Sequence, residues 1–333
     1  MAGHTQLTSE QTMISGPRST WHTSRVFTSL CLAAMLVACG GGTSQFEPFV
    51  PDRYVAFGDE TSVVRPDGKR YTVNPLTSAG AIDCKTEPIW TQAMANQYGF
   101  VFEECNPDNT IDFKAQMRAV VGARIDDLPT QIDAQIARGG FTADTLVTVM
   151  LGANDVIEQY GNFGPQTEEQ ISTELRARGV RLAQQINRLV DLGARVIVST
   201  VPDMGLTPYA LAQKAAFTDT DRAALLTRLT VALNSRLRVT ILNDGRYIGL
   251  VLADEAVQSI VKVPSAFGVI NTTSAVCLTA LPDCTTATLA PPADTSITVS
   301  SLNSLWADDL HMAYGGQSRL GSLAVARAVG NPF

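Results

Sequence analysis

The chain has 333 residues with 45% hydrophobic and 17% charged positions, enough apolar sequence for one sizeable core, and this argues against a disordered chain. Its formal net charge of -7 argues against a nucleic-acid partner, because phosphate binding requires clustered lysines and arginines. A neutral or weakly polar ligand fits this composition better.

The first forty residues have the pattern of an export signal. Arg18 and Arg25 precede an apolar run over residues 26–38, which is shorter than the about 20 residues that a membrane-spanning helix needs. The run closes on Leu-Val-Ala-Cys-Gly at residues 36–40, which resembles the lipobox of bacterial lipoproteins. That resemblance implies cleavage before Cys39, acylation of its thiol, and a lipid anchor in the cell envelope, at the outer membrane.

These features predict three parts of the chain. Residues 1–38 are a signal peptide of lipoprotein type, residues 39–51 are the lipidated cysteine and a flexible tether, and residues 52–333 form one domain. An ordinary signal peptide with an incidental cysteine at position 39 is the alternative.

Four cysteines remain outside the signal and the lipidated position, namely Cys84, Cys105, Cys277 and Cys284. An even number in an exported, oxidising compartment predicts two disulfides. Cys277 and Cys284 lie seven residues apart around Pro282, so we expect them to pair locally and Cys84 to pair with Cys105. A zinc site is the alternative, but the spacings lack a CxxC pair and only one histidine lies outside the signal.

Short apolar runs alternate with longer stretches of helical period, as is typical of a parallel sheet covered by helices. The helical pattern predicts long helices over residues 168–192, over 219–242 with Asp219 or Thr220 as cap, and over 315–329. Residues 265–303 lack a hydrophobic period, which predicts a long irregular segment, or excursion, outside the helices and strands. Five strands are predicted, at residues 54–57, 100–102, 146–151, 196–199 and 247–252.

Polar residues stand in four blocks: two directly follow predicted strands, one lies between those two, and one lies in a closing loop near the end of the chain. In open parallel sheets, ligands bind beyond the carboxyl ends of the strands, so chemistry is to be sought there. The blocks are Gly-Asp-Glu at residues 58–60, Val-Gly-Ala-Arg at 121–124, Gly-Ala-Asn-Asp at 152–155 and Asp-Asp-Leu-His at 308–311.

In this order and spacing the blocks resemble those of the SGNH/GDSL hydrolases, a family of ester and lipid hydrolases. The resemblance implies a flavodoxin-like three-layer α/β/α fold with a five-stranded parallel sheet, and a small ester or acylated molecule as ligand. It implies that the backbone N–H of Gly122 and the amide of Asn154 are oxyanion-hole donors, and that Asp308 and His311 are the acid and base of a triad. His311 is the only histidine outside the signal.

The first block departs from the family, because Glu60 stands where the pattern Gly-Asp-Ser has its nucleophilic serine. A smaller departure concerns Gly122, since Val121 and Met117 stand where the family has a glycine and an asparagine. Glu60 is therefore the position on which any prediction of activity depends.

Four interpretations of Glu60 remain open. In the first, its carboxylate lies against protonated His311, occupies the oxyanion hole and leaves a catalytically silent binding protein. In the second, Glu60 is a carboxylate nucleophile or a base for water. In the third, Thr61 or Ser62 supplies the hydroxyl, although a side chain one or two residues after position 60 points in another direction as the helix begins. In the fourth, the block match is fortuitous and Glu60 is a solvated loop residue.

The sequence carries no cofactor motif and no glycine-rich phosphate loop. The acidic pairs at residues 126–127 and 308–309 are predicted to be caps and turns rather than metal ligands. We therefore expect an envelope-anchored, ester-hydrolase-like protein of altered mechanism or a silent binding lipoprotein on the same scaffold, with no metal and no cofactor.

Overall fold

The computed structural model of the chain describes residues 49–291 and 298–330. The predicted signal at residues 1–38, the predicted lipidation position Cys39 and the predicted tether as far as residue 48 lie outside the described residues. No helix in the described ranges is long and apolar enough to cross a membrane. The described residues all belong to one compact unit.

Five parallel strands form one sheet in the order β2-β1-β3-β4-β5. Every residue of β3 is buried, as expected where helices cover both faces of a parallel sheet. The strand order reverses beside β1, which opens a crevice at the carboxyl edge of the sheet. The predicted flavodoxin-like fold is confirmed. The strands are β1 Arg53–Gly58, β2 Ala115–Met117, β3 Thr145–Met150, β4 Arg195–Ser199 and β5 Ile248–Val251.

Eight α-helices of the described ranges cover the two faces of the sheet. One apolar cluster packs α2, α4 and α6 against one face, and a second packs α1, α7 and α8 against the other. The helices are α1 Trp90–Gln97, α2 Leu128–Ile136, α3 Ala153–Tyr160, α4 Glu168–Asp191, α5 Pro208–Ala216, α6 Arg222–Thr240, α7 Ala253–Lys262 and α8 Tyr314–Gly330.

Two element predictions are wrong. Residues 100–102 do not form a sheet strand, and only Phe102 makes a single bridge to Ala115. The second strand is β2, which has three residues and one buried position, so it carries no apolar run to reveal it. The helix predicted from Asp219 begins instead at Arg222, because the side chain of Asp221 caps it by accepting from the N–H of Ala224.

Both predicted disulfides are formed. Cys84 and Cys105 are joined with a Cα–Cα distance of 5.7 Å, and Cys277 and Cys284 with 5.8 Å. The predicted excursion contains a short 3₁₀ turn, Pro264–Phe267, and otherwise lacks helices and strands among its described residues. The second disulfide closes a loop within it.

Candidate active site

A sharp turn after β1 positions Glu60. Gly58 has φ +145°, and a Cβ atom there would lie 2.6 Å from the carbonyl oxygen of Met150, so only glycine fits. Asp59 then caps a 3₁₀ turn, Glu60–Ser62, by accepting a 3.0 Å hydrogen bond from the N–H of Thr61. The turn holds the Glu60 side chain at the carboxyl edge of the sheet.

The carboxylate of Glu60 bridges the other predicted site residues. Its Oε2 accepts from the backbone N–H of Gly122 at 2.7 Å and from Nδ2 of Asn154 at 3.2 Å. Its Oε1 lies 3.2 Å from Nε2 of His311. Glu60 is only 8% exposed. The structure therefore brings Glu60, Gly122, Asn154 and His311 into one cluster, with a carboxylate at its centre.

Asp308 fixes the ring of His311 from the opposite side. Nδ1 of His311 lies 2.8 Å from Oδ2 of Asp308, and Oδ1 of Asp308 also accepts the backbone N–H of His311 at 2.6 Å. Because the two residues belong to one tight loop, the carboxylate orients both backbone and ring. Nε2 is thereby directed at Glu60.

The first turn of α3 holds the loop that carries Gly122. Nδ2 of Asn154 also donates to the carbonyl of Ala123 at 3.1 Å, and Asp155 Oδ2 accepts the N–H of Ile125 at 3.0 Å. Arg178 donates to the other oxygen of Asp155 at 2.8 Å. Asp155 and Arg178 were assigned no role from the sequence, although the position of Asp155 directly after Asn154 pointed to a place at the site for Asp155.

The hydroxyls of Thr61 and Ser62 lie apart from this cluster. Ser62 is fully buried, and its Oγ accepts from the indole N–H of Trp90 at 3.2 Å. Thr61 lines a narrow chamber beside Met150 and Met204, between the ends of β3 and β4. Among the described contacts, His311 Nε2 is bonded to Glu60 alone, which disfavours either hydroxyl as a substitute nucleophile.

A buried cation supports the wall of the site at residues 70–71. The guanidinium of Arg70 is fully buried, and the ring of the next residue, Tyr71, lies 6.1 Å from that of His311. Nothing in the sequence distinguished this arginine from a surface residue. It donates to the carbonyl oxygens of Asp83, Cys84, Thr86 and Glu87 and to Oε1 of Gln92.

The electrostatics favour an imidazolium between two carboxylates. Burial disfavours the charged ring of His311, but its hydrogen bonds to Asp308 and Glu60 outweigh this and raise its pKa to about 10. Burial also opposes ionisation of Glu60, yet the hydrogen bonds from His311 and Gly122 hold the pKa of Glu60 below its ordinary value. The pKa of Asp308 is lowered in the same way against its burial, mainly by His311.

The pKa of the neighbouring Asp59 moves in the opposite direction. Burial and the negative charge of Glu60 raise the pKa of Asp59 to about 7.

Among the described residues no group of three histidine, cysteine or acidic side chains is arranged to hold a metal ion. The cluster is suited to holding a carboxylate, and its one imidazole is already protonated at neutral pH.

The contributions of His311 and of the two carboxylates to folding stability change with pH in opposite directions. Because the pKa of His311 lies above its ordinary 6.5, the contribution of its contacts is complete below that pH and is lost as the pH rises through about 10. The pKa values of Glu60 and Asp308 are lowered from 4.5 and 3.8, so their contributions are complete above those values and are lost as the pH falls below them. The cluster is therefore most stabilising between pH 4.5 and pH 6.5, and its contribution declines as the pH rises through about 10.

We expect Glu60→Gln to lower the pKa of His311, because the variant removes one of the two carboxylates that stabilise the imidazolium. The measurement is an NMR titration of the His311 ring, and its peaks are assigned by their loss in His311→Gln. Asp308→Asn is the comparison and is expected to lower the pKa further, since Asp308 makes the stronger contact. An unchanged pKa in Glu60→Gln would show that the 3.2 Å contact is absent in solution.

A flavodoxin-like sheet thus carries at its carboxyl edge a histidine–aspartate pair and, beside it, the N–H of Gly122 and the amide of Asn154, which hold the Glu60 carboxylate. Residues 54–323 match the family model of the GDSL-like lipases and acylhydrolases, and the chain belongs to that family. No curated protein sequence matches the chain.

Several solved structures are similar over most of their length. A phospholipase A1 from Streptomyces albidoflavus is 15% identical, with 84% of this chain and 99% of that chain covered and a TM-score of 0.42. A lipase from a goat rumen metagenome is 10% identical, with 83% and 97% covered and a TM-score of 0.46. An acetylxylan esterase from Geobacillus stearothermophilus is 14% identical, with 85% and 96% covered and a TM-score of 0.42.

Proposed function

We propose that this protein is an envelope-anchored member of the GDSL family whose hydrolase site is closed by its own Glu60 carboxylate, and that it acts as a binding or structural lipoprotein. One observation carries the proposal of a closed site. Both oxygens of Glu60 are engaged, one by Gly122 and Asn154 and the other by His311. The lipobox-like segment at residues 36–40 supports the anchor.

The closed site lacks each element that ester hydrolysis by a serine-type site requires. Such a site needs a hydroxyl nucleophile, a neutral imidazole to accept its proton, and free donors for the oxyanion. Among the described residues no hydroxyl is hydrogen-bonded to His311, the raised pKa keeps its ring protonated, and the donors already hold Glu60. A substrate carbonyl would have to displace charge-assisted hydrogen bonds worth roughly 1.5–3 kcal/mol each.

The same contacts disfavour Glu60 as a carboxylate nucleophile. Attack on an ester would require one oxygen of Glu60 to leave its donors while the substrate oxygen enters the position between Gly122 and Asn154. In the structure that position is filled by Oε2 of the attacking group itself. His311 is protonated and able to give a proton to a leaving alcohol. However, the attacking carboxylate and the substrate oxygen would both need the position between Gly122 and Asn154.

We expect the mature wild-type protein to hydrolyse short-chain nitrophenyl esters no faster than His311→Ala, because neither variant has a free nucleophile and base. The measurement is initial rate against substrate concentration for wild type, His311→Ala and Glu60→Gln. Wild-type turnover that both substitutions abolish would overturn the silent interpretation and favour carboxylate chemistry at Glu60.

A further inference from the structure

The amino-terminal edge of the sheet, opposite to the Glu60 cluster, exposes apolar side chains from every segment that leads into a strand. In a soluble surface such residues are normally scattered singly, so their recurrence at one edge is informative. They are 36% to 96% exposed, and the set continues into the last turns of α6 and α8. The residues are Val50, Ile111, Ile136, Leu192, Val239, Leu242, Tyr247 and Val329.

Direct contacts join these segments into one surface. The N–H of Asp52 donates to the carbonyl of Asp144 at 3.0 Å, and the carbonyl of Tyr247 accepts from the N–H of Val196, directly after Arg195, at 2.8 Å. The guanidinium of Arg195 lies 4.4 Å from the ring centroid of Phe49. We call this the amino-edge surface and define it by residues 49–53, 106–114, 136–144, 191–195, 239–247 and 327–330.

The amino-edge surface is neutral, although the chain has a formal charge of -7. Its six aspartates are balanced by six basic side chains, so the excess negative charge lies elsewhere. An anionic lipid surface repels acidic faces of a protein, and a neutral face approaches it at lower cost. The basic side chains are Arg53, Lys114, Arg138, Arg195, Arg246 and Arg327.

The segment of the chain that precedes Phe49 is covalently continuous with this same surface. Phe49, the first described residue, belongs to it, and Cys39 lies ten residues earlier in the sequence. A tether of that length reaches at most about 35 Å. A lipid on Cys39 would therefore hold the amino-edge surface within about 35 Å of the bilayer. The Glu60 cluster lies beyond the far ends of strands about 20 Å long, so the tether alone does not decide which edge faces the lipid.

We infer that the amino-edge surface lies on the lipid bilayer, with its exposed aliphatic side chains among the headgroups, so that the Glu60 cluster faces away from the membrane. The site then meets ligands that arrive from the aqueous side rather than lipids of the membrane beneath it. The inference depends on the proposed lipid anchor, and it adds a contact surface and an orientation that the anchor alone does not impose.

The test uses protein expressed from the full sequence in a bacterial host and reconstituted, with whatever lipid it carries, into phosphatidylcholine vesicles with phosphatidylglycerol. Leu242→Trp places a fluorescent probe on the amino-edge surface, and Phe217→Trp places one before α6 at the opposite edge. The parent residues are 44% and 45% exposed, so the probes are matched. With the parent signal subtracted, we expect brominated phospholipid to quench Leu242→Trp and shift its emission to the blue, and to leave Phe217→Trp unchanged.

A second pair of variants tests the aliphatic contacts. Val239→Glu is expected to reduce quenching of the Leu242→Trp probe, whereas Val231→Glu, on the same helix and 50% exposed, is expected to leave it unchanged. Protein that fails to float with vesicles would overturn both anchor and orientation. Protein that floats with an unquenched Leu242→Trp probe would overturn the orientation alone. A dimer that Val239→Glu dissociates would assign the surface to a second copy and overturn the membrane contact.

Discussion

Glu60→Ser is expected to convert the protein into an esterase, with hydrolysis of short-chain nitrophenyl esters at least about 10²-fold above wild type. The substitution removes the carboxylate from between Gly122 and Asn154, so both donors become available to an oxyanion. It also removes one carboxylate from His311, which lowers the pKa of the ring and leaves Nε2 free to accept the proton of the new hydroxyl. The Asp308–His311 pair needs no rearrangement.

Glu60→Ala is the matched control, because it opens the same space without supplying a nucleophile. It is expected to remain as inactive as wild type, and the double variant Glu60→Ser/His311→Ala is expected to lose the gained activity. Rates for all variants are measured across pH, and activity should rise as the lowered pKa of His311 is passed. A folded Glu60→Ser variant that stays inert, although its His311 pKa has fallen, would contradict the assignment of the oxyanion donors.

The residues at the carboxyl edge of the sheet were predicted from the sequence more accurately than the edge strand β2. Glu60, Gly122 and Asn154 follow strands or precede helices in a fixed order, so topology alone brings them to the same edge as His311. The strand β2 escaped prediction, because an edge strand of three residues with one buried position has no periodic pattern. The nearby apolar residues 100–102 offered a stronger but misleading signal.

The residues of the site could be predicted from the sequence, but whether Glu60 leaves the site open or closes it could not. A glutamate in the turn after β1 is compatible with a nucleophile, a base or an internal ligand. These alternatives differ in what the two carboxylate oxygens contact. The 2.7 Å contact to the N–H of Gly122 and the 3.2 Å contact to His311 distinguish them, and both depend on side-chain torsions that no residue pattern encodes. Arg70 was missed for a related reason, since its acceptors are backbone carbonyls.

Arg70→Met is expected to destabilise the domain by about 3 kcal/mol and to lower its melting temperature by roughly 6–9 °C. Methionine approximates the length of the aliphatic stem but leaves the carbonyls of residues 83, 84, 86 and 87 without their common donor. Burial lowers the pKa of Arg70 to about 10, so the guanidinium is still charged at neutral pH and its hydrogen bonds are charge-assisted. Thermal and urea unfolding, followed by circular dichroism with the disulfides intact, measure the loss.

Arg65→Met is the matched control within the same loop. The side chain of Arg65 is 39% exposed and pairs with Asp67 at the surface, so its loss is expected to change stability by no more than about 0.5 kcal/mol. Arg70→Lys separates charge from geometry, because one ammonium group does not reach the acceptors that the planar guanidinium serves. It should therefore resemble Arg70→Met. If Arg70→Lys is as stable as wild type, charge alone supports this loop, and the multiple hydrogen bonds to its carbonyls are dispensable.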